Sequence, residues 1–251
     1  MKTALMAAGA AVLLAGASTP AGVGGPDAPL FEERFTDGTA DLAWQTFPRF
    51  SPDLPEVVRA PDAPSGDGWA GLVTNATFGG FASLAYAGDA LLADYSVEAW
   101  VRVDVTEAAD GPLQGIAVRV DPEGERFYRL AARFGAEPEL TLAYVGRDVN
   151  HFPVHLGRWG RNEVPGGVPL EGGWHVMGLE VAGDRISASW NGVRLPGSAI
   201  VDARIARGYV GIYTNFVGGQ QPASTLVDRL VVRPARPFDT PTGLVVRLAQ
   251  P

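Results

Sequence analysis

The sequence predicts an all-β fold, built as two antiparallel sheets packed into a sandwich. From Phe31 onwards, short runs rich in Val, Ile, Leu, Tyr, Phe and Trp alternate apolar with polar residues. Gly, Asp, Pro and Asn separate these runs, as turn residues separate the strands of a sandwich. No stretch shows the period of an amphipathic helix, so helices between parallel strands are not expected.

The N-terminus predicts an exported chain. An apolar run from Ala4 to Ala15 follows a charged start, and Ala15-Gly16-Ala17 has the small residues of a cleavage site. About a dozen apolar residues are fewer than the ~20 needed to cross a bilayer. Residues 1–17 are therefore predicted to be a signal peptide, and the protein is expected to be secreted or periplasmic.

Composition limits the partners and the sources of stability. The 251 residues include no cysteine, so the fold must be stabilised by its core without disulfides. The formal net charge of -8 argues against a nucleic-acid partner, because phosphate binding requires a positive field. Residues 18–29 are expected to be a linker, and residues 30–251 a single domain that inserts into no membrane and is a monomer.

Period-two patterns locate the strands. In the clearest, Tyr95–Asp104, the side chains of Val97 and Val101 point one way, while Glu98, Trp100 and Arg102 point the other. Similar patterns predict strands at 116–120, 128–132, 140–145, 174–181, 185–190, 209–214 and 226–232. Gly183-Asp184 and Asn191-Gly192 are predicted tight turns, because each pair tolerates positive φ.

The second half of the chain carries motifs that resemble those of the concanavalin-A-like lectin/glucanase superfamily. They are GIAVRV from Gly115, FYRL from Phe127, GWH from Gly173, LEVAGDRI from Leu179, WNG from Trp190, GYVGIY from Gly208 and VDRLVV from Val227. The likeness covers most of residues 31–233 and is closest to laminin-G-like and 3-keto-disaccharide-hydrolase-like domains. It implies a jelly-roll sandwich with one concave sheet that holds an extended sugar chain.

The glucanase chemistry of that superfamily is not expected here. Its family 16 enzymes place paired carboxylates on one concave strand, at the separation that a retaining glycosidase needs. The strand in the corresponding order, residues 126–133, reads RFYRLAAR and contains no carboxylate. A lyase signature, a nucleophile elbow, a phosphate loop and a zinc motif are also not visible.

Outward-pointing residues predict a glycan surface. Glu98, Trp100 and Arg102 are expected beside Arg119, Arg129 and Arg133 if the strands pair in chain order. An aromatic ring stacks on a sugar, and arginines donate forked hydrogen bonds to hydroxyls or to a uronate carboxylate. The alternative is an ordinary solvated sheet face with cross-strand charge pairs.

A long loop, from about Gly146 to Gly173, is a candidate lid over that surface. It contains His151, His155 and Trp159 with two arginines, Arg158 and Arg161, which could provide acid/base groups and a sugar clamp. The alternative is a solvent-exposed loop anchored by one tryptophan.

The superfamily resemblance also implies a structural calcium near the first and last strands. The corresponding residues are Glu33 and Asp228, since calcium takes several oxygen ligands. The alternative for Asp228 is a hydrogen bond to loop backbone.

Three functions follow from these observations. The first is a secreted, non-catalytic module that binds an oligo- or polysaccharide. The second is a glycoside-processing hydrolase or lyase of the 3-keto-disaccharide-hydrolase-like type, with His151, His155 or Glu98 as acid/base groups. The third is a cell-envelope adhesion or structural protein.

Overall fold

The regular structure of the described residues consists of β-strands and two short 3-10 turns. The computed structural model describes residues 28–47, 54–75, 82–104, 111–164, 172–216 and 223–235. The predicted signal peptide and most of the predicted linker lie outside these residues. Between residues 28 and 75 the strands are β1 (Phe31–Glu33), β2 (Gln45–Thr46), β3 (Glu56–Arg59) and β4 (Trp69–Asn75). Between residues 82 and 146 they are β5 (Ser83–Ala87), β6 (Tyr95–Val103), β7 (Pro112–Asp121), β8 (Arg126–Arg133) and β9 (Glu139–Gly146).

The C-terminal half continues the pattern. Its strands are β10 (Val154–Gly160), β11 (Gly173–Ala182), β12 (Arg185–Trp190), β13 (Val193–Arg194), β14 (Ile200–Val201), β15 (Tyr209–Phe216) and β16 (Ala223–Pro234). Two single 3-10 turns, Thr36–Gly38 and Arg147–Val149, complete the regular structure. Within the described ranges, no helix is long and apolar enough to cross a bilayer.

Two antiparallel sheets form the sandwich that the sequence predicts. The first has the order β13-β12-β11-β6-β16-β4-β3, with β1 paired to β16 and β14 paired to β12. The second has the order β10-β9-β8-β7-β15-β5-β2. The predicted strands are all present, and each lies within two or three residues of its expected bounds, or extends them by a few residues.

The core lies between the two sheets and follows the predicted alternation. Val97 and Val101 of β6 are fully buried there, together with Ile116 of β7 and Leu142 of β9. A second apolar cluster lies on the opposite side of the second sheet and includes Phe127. The two hairpin turns also form as expected, since φ is positive at Gly183, Asn191 and Gly192.

A buried arginine joins the sheets at one end of the sandwich. Arg119 of β7 has no exposed surface and a positive φ of 49°, at an irregularity in the strand register. Its guanidinium donates four hydrogen bonds to the backbone carbonyls of Ala93, Gly183 and Ile205, at 2.8 to 3.3 Å. Three separate connections between strands therefore end on one side chain.

Two tyrosines extend this network. The Arg119 backbone N–H donates to the Tyr95 hydroxyl at 2.7 Å, which links β7 of the second sheet to β6 of the first. The Tyr128 hydroxyl donates to Asp202 Oδ1 at 2.7 Å and accepts the Ile205 N–H at 3.2 Å. Burial raises the pKa of both tyrosines well above the ordinary value, so both stay protonated.

Arg119→Met is expected to destabilise the fold by about 3 kcal/mol or more, because three buried carbonyls lose their donors. Chemical denaturation of the purified protein measures this loss. Arg102→Met is the matched control, since Arg102 is partly exposed and makes surface ion pairs with Asp62 and Asp104. An equal effect of the two substitutions would contradict the role given to Arg119.

Candidate functional site

The predicted glycan surface is divided between the two sheets. Glu98, Trp100 and Arg102 lie on the outward side of β6 in the first sheet, where β6 pairs with β11 and β16. Arg129 and its neighbours lie in the second sheet. The predicted pairing in chain order is wrong, because β6 and β7 are consecutive in the chain but belong to different sheets.

On the first sheet, the charged residues have local partners. Glu98 accepts a hydrogen bond from Arg233 at 3.1 Å, and Arg102 pairs with Asp62 at 2.8 Å. Both pairs are solvent-exposed, so each contributes little free energy. These residues fit the alternative of a solvated face with cross-strand charge pairs.

Three predicted surface residues are buried: Arg119, Trp159 and Arg129, the last of which is described below. Arg119 has the structural role described above and is not accessible. Trp159 is 4% exposed, packs into the core, and donates its indole N–H to the Pro196 carbonyl at 2.7 Å. Its ring covers Gly157, where a side chain would approach the ring carbons to 2.4 Å. Trp159 is therefore an anchor for β10 and not a sugar clamp.

The predicted lid contains a strand. Its residues Val154–Gly160 form β10, which pairs with β9 as the last described strand of the second sheet. His151 precedes β10 in a left-handed turn, and its Nε2 lies 3.3 Å from a carboxylate oxygen of Glu125. His155 is exposed on β10 and faces outward. The two histidines and Trp159 do not close over Glu98, Trp100 and Arg102.

The second sheet brings several polar residues together on its outward side. We call this group the arginine face; its members, from β8, β9 and β10, are Arg129, Arg133, Glu139, Thr141, His155 and Arg158. Strand register places His155 beside Ala143 and Ala143 beside Arg129. In the next row, Arg158 lies beside Thr141. The alternation that buries Leu130, Leu140 and Leu142 turns the whole group outward.

One carboxylate of the arginine face accepts hydrogen bonds from two of its arginines. Glu139 accepts a hydrogen bond from Arg133 at 2.6 Å on one oxygen and from Arg158 at 2.9 Å on the other. Arg129 lies deeper and is 1% exposed. It donates from Nη1 to the Thr141 hydroxyl at 3.0 Å, and its guanidinium carbon is 4.9 Å from the centre of the Tyr213 ring.

The surroundings keep His155 neutral. Burial lowers its pKa, and the positive charges of Arg158 and Arg129 lower it further. A neutral imidazole accepts or donates a hydrogen bond through either nitrogen, depending on its tautomer. The arginine face therefore combines fixed positive charge with an uncharged donor and acceptor.

Sequence reasoning identified Arg129, Arg133 and His155, included Arg158 as one of two arginines in the predicted loop, and missed Glu139, Thr141 and Tyr213. The alternation around Leu140 and Leu142 was sufficient to assign Glu139 and Thr141 to the outward side. Arg158 was not assigned a face because the segment around it was predicted to be a loop. Tyr213 comes from β15, whose position beside β7 is a property of the sheet order.

Solved structures share this fold at low sequence identity. The chain superimposes on a carbohydrate-binding module, CBM66, from Bacillus subtilis with a TM-score of 0.50 and 12% identity, over 79% of this chain and 98% of that one. It superimposes on the conserved carbohydrate esterase vb_24B_21 from the Shiga toxin-encoding bacteriophage phi24B with a TM-score of 0.52 and 14% identity, over 84% of this chain and 100% of that one. The fold is the concanavalin-A-like jelly roll. No protein-family model and no curated protein matches the sequence.

Glu33 does not fit the calcium site that a concanavalin-A-like fold implies. Its buried carboxylate accepts the backbone N–H groups of Phe35, Asp41 and Leu42 and the indole N–H of Trp44, at 2.8 to 2.9 Å. Four donors occupy the oxygens and direct their positive ends at them, which disfavours a cation. Among the described residues, no group of three or more acidic, His or Cys side chains is placed to hold a metal.

Asp228 lies in a cleft of about 370 Å³ that Trp100 also lines. Its side chain is fully buried, and Oδ2 accepts the Ser65 N–H at 2.7 Å. Oδ1 has no hydrogen-bond partner in the described part of the chain. Burial raises the pKa of this carboxyl above its ordinary value. The bond to Ser65 matches the alternative predicted for Asp228, a partner for loop backbone.

Glu33→Gln is expected to destabilise the protein by about 2 kcal/mol, because an amide N–H₂ replaces an acceptor facing N–H donors. Denaturation in EDTA and in calcium should give the same loss. The control is Glu56→Gln, at an exposed position of β3. A loss seen in calcium but not in EDTA would restore Glu33 as a calcium ligand.

Asp228→Asn is expected to raise the free energy of unfolding more at pH 7 than at pH 4. Because the folded-state pKa of Asp228 is raised above the ordinary 3.8, this carboxyl ionises at lower pH in the unfolded chain than in the folded protein. Its contribution to wild-type stability therefore falls as pH rises from the unfolded to the folded pKa. Asparagine retains an acceptor for Ser65 and has no such dependence. Thermal unfolding at both pH values measures the difference, with exposed Glu137→Gln as control; a parallel response of both variants would refute it.

Proposed function

We propose that the protein is an exported module that binds an oligo- or polysaccharide on the arginine face without cleaving it. The observation that supports this most is the clustering of guanidinium groups, a hydroxyl and a neutral imidazole on one side of β8 to β10. Such groups donate directed hydrogen bonds to sugar hydroxyls and ring substituents. The N-terminal segment supports export, since it has the features of a signal peptide.

The fold supports a saccharide ligand. The two solved structures with this fold described above are a carbohydrate-binding module and a carbohydrate esterase. Fold alone does not determine function, so the proposal depends on the side chains of the arginine face. The non-catalytic form is preferred because Glu139 is the carboxylate of this face, and both its oxygens accept bonds from arginines. A retaining glycosidase requires two available carboxyl groups.

A glycan-processing enzyme is the second candidate, and the state of His155 favours it. An exposed imidazole with a lowered pKa is a general base at neutral pH, and adjacent arginines would stabilise developing negative charge. Screening polysaccharides for turnover separates the two functions. If wild type turns over a polysaccharide, and His155→Ala abolishes turnover but retains binding, the protein is an enzyme and not a binding module.

Binding should be sensitive to Arg158. A glycan array identifies ligands, and calorimetry then compares wild type with Arg158→Gln, which removes an exposed guanidinium without disturbing the core. We expect about tenfold weaker binding, the effect of one charge-assisted hydrogen bond. Arg233→Gln, a similar change on the first sheet, should leave affinity unchanged. Loss of binding in Arg233→Gln or Trp100→Ala instead would move the site to the first sheet.

A further inference from the structure

The two buried arginines of the second sheet differ in how their charge is satisfied. The Arg119 guanidinium donates four hydrogen bonds to carbonyls and lies 3.8 Å from a carboxylate oxygen of Asp94. The Arg129 guanidinium, equally buried, donates one hydrogen bond, to Thr141. Its Nε is buried and has no hydrogen-bond partner among the residues that the structure describes. Within the described ranges, no carboxylate pairs with Arg129.

This arrangement is costly for a protein without a ligand. A guanidinium charge that burial has removed from water, and that no anion pairs with, raises the free energy of the folded state. The Tyr213 ring offsets part of the cost through a cation–π contact. The other guanidinium edge, Nε with the second terminal nitrogen, has the forked geometry that pairs with a carboxylate.

The charge of the arginine face points the same way. Its ionised side chains are three arginines and Glu139, which leaves an excess of two positive charges when His155 is neutral. The whole chain has a formal net charge of -8. The positive charge is therefore confined to this face of a chain whose net charge is negative. A general attraction of the whole chain to polyanions is not expected.

We infer that the ligand is an acidic saccharide whose uronate carboxylate pairs with Arg129, a pairing that rests on the saccharide-binding function proposed above. Arg158 and His155 on β10 are the exposed members of the arginine face nearest this position, on the far side of β9 from Arg129. Arg129 itself is 1% exposed, so the pairing requires its guanidinium to be uncovered when the ligand binds. A carboxylate is preferred to a sulfate ester because the planar guanidinium edge matches its two coplanar oxygens.

Uronate chains with matched neutral counterparts test this inference. Polygalacturonate, alginate and hyaluronan oligomers are each compared with the same oligomer after reduction of its carboxyl groups, by calorimetry in 0.15 M salt. At least one acidic oligomer should bind about tenfold or more tightly than its reduced form. Dextran sulfate of similar charge density should bind more weakly than that oligomer.

Arg129→Met tests the residue. Methionine fills much of the same apolar volume and removes an unpaired buried charge, so thermal unfolding should show a folded protein. The preference for the acidic oligomer should disappear, while Arg102→Met on the first sheet retains it. If Arg129→Met does not fold, exposed Arg158→Gln takes its place and should reduce the preference severalfold.

The failures are distinguishable. Equal binding of acidic and reduced oligomers would overturn the uronate inference and leave saccharide binding intact. Dextran sulfate binding as tightly as the uronate chain would overturn it in favour of simple polyanion attraction, and an unchanged preference in folded Arg129→Met would exclude that residue. Binding of none of these oligomers would count against the saccharide function itself.

Discussion

The hydrogen bonds of Arg119 are the constraint on which the arrangement of the two sheets depends. A sandwich leaves its connections with backbone carbonyls that no strand can satisfy, and burying them unpaired is costly. Here one guanidinium satisfies carbonyls from three connections, and the Tyr95 hydroxyl ties the same residue to the first sheet. The irregular register at Arg119 is what turns its side chain into this position.

Glu33, which has the opposite charge, satisfies buried backbone groups in the same way at the start of the domain. Its carboxylate gathers N–H groups from the segment that follows β1 and holds the indole of Trp44 against the core. Both residues show how a chain without disulfides organises its loops around buried charge. Arg129 differs from them because, among the described residues, its charge lacks such a set of partners. This contrast is the basis for proposing that Arg129 binds a ligand.

Strand positions could be predicted from the sequence because alternation depends only on which side chains are buried. The inward positions predicted for Val97 and Val101 are correct for that reason. Sheet membership could not be predicted in this way, since β6 and β7 have the same pattern but lie in different sheets. The candidate site was therefore assembled from the wrong pairs. Arg119 and Arg129 are also indistinguishable in sequence, because partners distant in the chain decide their environments.

The position of β10 at the end of the second sheet has a consequence for redesign. An unpaired strand edge invites a second molecule to add a strand, and exposed charge together with a bulge discourages such addition. His155 and Arg158 lie on this edge strand, and its register shifts between His155 and Gly157. The polar side chains that would contact a ligand thus also protect the protein from aggregation. A redesign that replaces them with apolar residues to change specificity is therefore expected to lower the solubility of the protein.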